Sequence, residues 1–105
     1  MPNSNKQINV NLTFKNTEAT EALKNYAQEK LSHCLSKFAH QDTEAHLVLS
    51  VEKSRQIAEV SFHTDGHDFK AKEESNDLYA SIDALVGTIS QQLRKHKEKI
   101  TAHYK

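Results

Sequence analysis

The chain has one cysteine, one proline and two glycines among its 105 residues. Each scarcity excludes something. Cys34 alone makes no intramolecular disulfide and no multi-cysteine zinc site. Two glycines cannot build the Gly-rich loop that cradles nucleotide phosphates. A hydrophobic content of 36% is too high for a disordered chain, and so little Gly and Pro argues against long linkers. No apolar run approaches the roughly 20 residues that cross a bilayer. The opening Met1-Pro2-Asn3-Ser4-Asn5-Lys6 contains no apolar stretch of the kind a secretory signal needs. A lone thiol and no such segment lead us to expect a cytoplasmic protein that does not engage a membrane. An excess of charge is missing too, because 14 basic side chains meet 14 acidic ones. A nucleic-acid binder usually carries a basic balance, so the average counts against that function.

The distribution of charge alters this. From Arg94 onward, Arg94, Lys95, Lys97, Lys99 and Lys105 face only Glu98, whereas acids gather at Glu18 with Glu21 and at Glu73, Glu74 and Asp77. The molecule is polarised along its sequence.

At this length there is room for one domain with one core, expected to be residues 1–105 as a single unit, its ordered part about 7–100 between flexible termini. Ile8, Val10, Leu12 and Phe14 alternate with polar residues, the period of a strand with one wet face. Thr20 is placed to cap a helix with Glu21 in its first turn. Ala22, Leu23, Tyr26, Ala27, Leu31, Cys34, Leu35 and Phe38 then mark its buried side. Ala45, Leu47, Leu49 and Val51 alternate as a second strand. A turn at Ser54-Arg55 leads to a third, with Ala58, Val60 and Phe62 inward. Asp65-Gly66 is a two-residue hairpin signal, and a short fourth strand, His67 to Lys72, places Phe69 and Ala71 on the core side. A long helix opens near Ser75-Asn76, with Asp77 in its first turn. The fold class is α+β, in the order β-α-β-β-β-α. It has a four-stranded, mostly antiparallel sheet with two helices packed on one face.

On the last helix, Leu78, Ile82, Leu85, Val86, Leu93 and Ile100 lie within about 60° of Ile89 at 100° per residue. Lys97 and Arg94 fall on one flank at about 80° and 140°, and Lys99 and Lys95 on the other at about 280° and 240°. Cations near a helix C-terminus complement its macrodipole at ~0.3–1 kcal/mol each, which is the plain explanation, although this cluster is denser than one dipole needs. The first helix adds Lys24, Lys30, His33 and Lys37. These are either a solvated amphipathic surface or one side of a groove, shared with the last helix, that tracks a phosphate backbone by charge.

Other chemistry finds little support. Among the seven histidines, His63 and His67 flank the hairpin turn, His96 and His103 are two helical turns apart, and His40 and His46 border a loop. None has ligand spacing, so no metal site is expected and the histidines read as scattered surface residues. Cys34 lies on an apolar helix face, where a buried inert thiol is the natural reading. The carboxylates look like helix-start and surface charges. We expect no catalytic residues, cofactor or small-molecule substrate.

Three stretches carry a resemblance: Thr20-Glu21-Ala22-Leu23, then Val51-Glu52-Lys53, then Asp77-Leu78-Tyr79-Ala80-Ser81-Ile82-Asp83 leading into Gln92-Leu93-Arg94-Lys95-His96-Lys97-Glu98-Lys99. Over roughly residues 7 to 100 the chain resembles the short-form hibernation promoting factors and ribosome-associated inhibitors of bacteria, once described as sigma-54 modulation proteins. The resemblance implies a fold shaped like double-stranded-RNA-binding domains. It implies binding to 16S rRNA in the channel between head and body of the small ribosomal subunit, over the ground where messenger RNA and the A- and P-site transfer RNAs lie. Translation would stop by occupancy, and idle ribosomes would be paired in stationary phase or stress. The implied contacts are Lys24 and Lys30, then Arg94, Lys95, Lys97 and Lys99, with Tyr79 matching the family's helix-start tyrosine. Two departures stand out. His33 stands where relatives usually have lysine, and the turn reads Asp65-Gly66-His67 where they often have Asn-Gly or Gly-Gly. The chain ends soon after the last helix, without the C-terminal domain of long-form members, so pairing of whole ribosomes would call on a second small factor. Two other readings are a general double-stranded RNA binder and a protein-binding transcription modulator.

Overall fold

The computed structural model describes residues 7–39, 42–64 and 66–103, and in the last helix the side chains up to His96. The expectations that rest on Met1–Lys6, His40 and Asp65, and on the side chains of Lys97, Lys99, Ile100, His103 and Lys105, lie outside the described residues. The elements are β1 (Ile8–Lys15), α1 (Glu21–Phe38), β2 (Thr43–Glu52), β3 (Arg55–Thr64), β4 (His67–Ser75) and α2 (Leu78–His103). The sheet order is β1-β2-β3-β4. Helix α1 carries the chain back to the end where it started, so β1 and β2 run parallel, while two tight links make β2–β3 and β3–β4 antiparallel.

The period-two pattern sorts the sheet into two faces. One buries Ala45, Leu47 and Leu49 of β2 against Ala58, Val60 and Phe62 of β3, beneath Leu23, Ala27, Leu31 and Leu35 of α1 and Leu78, Ile82, Leu85, Ile89 and Leu93 of α2. Phe62 and Phe69 stack across β3 and β4 with ring centroids 5.1 Å apart. The opposite face is wet and largely self-neutralising. Arg55 donates to Glu74 at 2.6 Å, His63 pairs with Asp68 at 2.7 Å, and Asn11 donates to Glu44 at 2.9 Å.

Local chemistry sets most boundaries. Thr20 caps α1, its hydroxyl accepting the Leu23 N–H at 3.2 Å, and Glu21 follows in the first turn. Gly66 adopts φ 77° in the β3–β4 link, as a tight hairpin turn demands.

Several expectations are corrected. The β2–β3 turn is Lys53-Ser54, with Lys53 at φ 56°, and Arg55 already belongs to β3, where it reaches Glu74. Strand β4 continues past Lys72 to Ser75, because Gln56 through Glu59 of β3 supply partners that far. Helix α2 starts at Leu78, so Asp77 precedes it and lends its carbonyl to the Ser81 N–H at 3.0 Å. Ser75 is the last strand residue rather than a helix cap; its hydroxyl accepts the Asp77 N–H at 3.1 Å. Ala22 is exposed, since α1 turns its inner face from Leu23 onward.

Candidate nucleic-acid interface

The topology that makes β1 and β2 parallel also makes the helices parallel. Each helix follows a strand pointing the same way and returns over the sheet. The side-chain pairs agree: Tyr26 of α1 meets Asp83 of α2, and eight residues on, Cys34 meets Ser90. These pairs are 57 and 56 residues apart in sequence, and the same offset brings Lys37 level with Arg94.

Which basic side chains share a surface then follows from helical rotation. On α1, Tyr26, Lys30, His33 and Lys37 fall within about 60° of one another, on the flank turned to α2, and Lys30, His33 and Lys37 are exposed. Lys24 lies about 120° from Lys30, within the far half of the α1 core stripe, and is half-buried. On α2, Tyr79, Val86, Ser90, Asp83 and Arg94 occupy one flank, at about 60° to 140° from Ile89. This is the side that touches α1, through Tyr26 and Cys34. The opposite flank touches β4: Thr88 donates to Glu73 at 2.7 Å, Gln92 to the Lys70 carbonyl at 3.4 Å, and the His96 ring meets His67 at 4.4 Å. Lys95 belongs to that second side and is exposed. The structure therefore brings together Lys30, His33, Lys37, Tyr79 and Arg94 along the helix–helix groove, and sets Lys24 and Lys95 apart from it. Lys97 and Lys99 continue α2 beyond the described side chains.

The start of the groove is built from aromatic and acidic groups. The Tyr26 hydroxyl donates to an Asp83 carboxylate oxygen at 2.5 Å, and its ring meets Tyr79 edge to face with centroids 4.9 Å apart. The Lys30 ammonium sits 5.4 Å from the Tyr26 ring centre, a cation–π contact one helical turn away. The bond to Asp83, then burial, then the nearby charges of Asp83 and Asp77 raise the Tyr26 hydroxyl above the ordinary tyrosine range. Sequence reasoning places Tyr26 only in the core and gives Asp83 no role. The Tyr26–Lys30 spacing is legible as a same-face pair, but nothing in the sequence links Tyr26 to Asp83.

Two other expectations meet the structure here. Cys34 is buried and its thiol is raised by that burial, partly offset by the Ser90 hydroxyl at 3.2 Å. It is no activated nucleophile. His96, expected on the surface, instead packs between His67 and Phe69, and its Nε2 is buried without a hydrogen-bond partner. Among the described residues, no three His, Cys, Asp or Glu side chains come together to hold a metal ion, and no helix is long and apolar enough to cross a membrane. The groove presents lysine and arginine side chains along one surface, ending in an aromatic step.

Known proteins are similar to this chain in sequence and in fold. The chain is 36% identical over 96 residues to the ribosome hibernation promoting factor of Klebsiella oxytoca, covering 91% of this chain and all of that protein. It is 37% identical over 92 residues to the ribosome hibernation promoting factor of Pseudomonas putida, covering 88% of this chain and 89% of that one. Among solved structures, the N-terminal domain of Thermus thermophilus protein Y superposes with a TM-score of 0.76 at 27% identity, over 84% of this chain and 98% of that domain. A ribosomal subunit interface protein from Coxiella burnetii shares the fold at a TM-score of 0.75 and 22% identity, over 86% of this chain and 98% of that one. The sequence profile of one family matches residues 10–101, nearly the whole described fold. The chain belongs to the family of sigma 54 modulation proteins and S30EA ribosomal proteins.

Proposed function

We propose that this chain is a non-enzymatic ribosome hibernation factor of the cytoplasm. It binds the 16S rRNA of the small subunit in the channel for messenger RNA and the A- and P-site transfer RNAs, and it stops translation by occupying that space. In stationary phase or stress it helps hold idle ribosomes in inactive pairs, together with a second small factor. The observation that carries this reading is the groove between two parallel helices, where Lys30, His33, Lys37 and Arg94 line one surface. The Lys30, Lys37 and Arg94 cations of such a row neutralise phosphates and position an RNA without reading its sequence. Family membership supports the ribosome as partner, because the relatives named above are ribosome hibernation promoting factors.

The test is co-sedimentation of the purified chain with small subunits and whole ribosomes across a salt series. The unaltered chain is expected to pellet with small subunits at low salt and to be released as salt rises. A chain carrying Lys30→Glu, Lys37→Glu and Arg94→Glu is expected to stay in the supernatant. Failure of the unaltered chain to pellet at low salt overturns the reading. Equal affinity for any duplex RNA would make it a general double-stranded RNA binder. The sigma-54 label in the family description names a further alternative, which a nuclease-resistant complex with a transcription protein would favour.

A further inference from the structure

The cations of the groove end where Tyr79 begins. Among the described residues Tyr79 is the one exposed large hydrophobic side chain, with 38% of its surface open. An exposed ring at the end of a cationic row is unexplained by phosphate contacts alone. Its support is a chain of side-chain contacts. Tyr26 meets it edge to face at 4.9 Å, an arrangement that occupies at most one face of the Tyr79 ring. Tyr26 in turn is held by Asp83 at 2.5 Å and by Lys30 over its ring at 5.4 Å. The same spot is poor ground for a phosphate, because Asp77 and Asp83 both stand near enough to act on the Tyr26 hydroxyl. A base, unlike a phosphate, is uncharged and offers a π-face and amino donors.

We propose that Tyr79 is a stacking platform for an unpaired RNA base, held rigid by Tyr26 and flanked by the Asp83 carboxylate as an acceptor for an exocyclic amino group. This deepens the ribosome reading above and rests on it. The groove cations hold the backbone, and the platform selects a place where a base is free to leave its stack.

The test measures small-subunit affinity for the unaltered chain and for Tyr79→Phe, Tyr79→Leu and Tyr79→Ala, with thermal melts to show that each variant folds. Base–aromatic stacking predicts a roughly 5- to 150-fold weaker affinity for Tyr79→Ala. The salt dependence should not change, because the ring neutralises no phosphate. Tyr79→Phe should bind as the unaltered chain does. Unaltered affinity in Tyr79→Ala overturns the platform, and so does full rescue by Tyr79→Leu, which would reveal an ordinary apolar contact. A parallel titration with oligoadenylate reads the quenching of tyrosine emission, expected to shrink in Tyr79→Leu. If the unaltered chain ignores subunits, the ribosome reading falls, and the oligoadenylate titration then decides the platform separately, absent quenching overturning it.

Discussion

The side-chain carbonyl of Gln56, on β3, accepts the backbone N–H of Leu78 at 3.0 Å and so caps a helix 22 residues further along the chain. The main chain of the same residue is engaged as well, its carbonyl accepting the Ser81 hydroxyl at 2.6 Å. Helix α2 therefore begins where β3 holds it. Gln56→Ala is expected to lower unfolding free energy by about 0.5–2 kcal/mol, the usual cost of removing a helix cap. Chemical denaturation checks this, and Gln56→Glu, which keeps an acceptor and adds a negative charge at the N-terminus, should recover most of the stability.

That hydrogen bond marks the limit of what the sequence discloses. The Thr20 cap is legible because donor and acceptor are three residues apart, whereas the Gln56 cap depends on strand register, which no local pattern encodes. The six elements and their inward faces are readable from periods of two and 3.6. The partner of β1 is not, and with it goes the relative direction of the helices. The wheel positions of Lys95 and Arg94 define two flanks, but which one faces α1 is decided by contacts between the helices, Tyr26 meeting Asp83 and Cys34 meeting Ser90. His96 is misleading in sequence because a histidine beside a run of lysines gives no sign of the two aromatic rings, His67 and Phe69, that cover it.

Cys34 should behave as an inert thiol. Its native proton is held more tightly than in the unfolded chain, chiefly through burial. Above the ordinary thiol range the unfolded chain binds fewer protons than the native one, so stability falls as pH rises. Between about pH 8 and 9.5, around the reference thiol value, this fall should be steeper in the unaltered chain than in Cys34→Ser. Alkylation should be slow in the native protein and fast in denaturant.

Groove cations should register in the salt dependence of small-subunit binding. Where Lys30→Gln, Lys37→Gln or Arg94→Gln leaves one phosphate unneutralised, the slope of log K against log salt should become shallower by about 0.7–0.9. Lys24→Gln, turned away from the groove within the far half of the α1 core stripe, should leave the slope unchanged. Filter binding over several salt concentrations separates the two groups.

The β2–β3 turn carries avoidable strain. Lys53 holds φ 56°, a conformation that costs a side chain about 1–2 kcal/mol. Lys53→Gly should relieve part of this and raise stability by about 0.5–1 kcal/mol, the rest being offset by the freedom glycine adds to the unfolded chain. The opposite change, Gly66→Ala, at φ 77°, should destabilise by a comparable amount, as thermal melts would show.

Parallel helices give this zero-charge protein an electrical direction. Glu21 and Asp77 stand at the starts of the two helices and Asp83 within the second turn of α2, while Lys37 ends α1 and Arg94 and Lys95 lie far along α2. With antiparallel helices these separations would cancel; side by side in the same sense, they add into one side-chain dipole. Near a polyanion such a molecule feels little net pull at long range but a strong torque. Under the proposed function it arrives with its cationic helix ends leading and its acidic helix starts trailing, already turned for docking before the two surfaces touch.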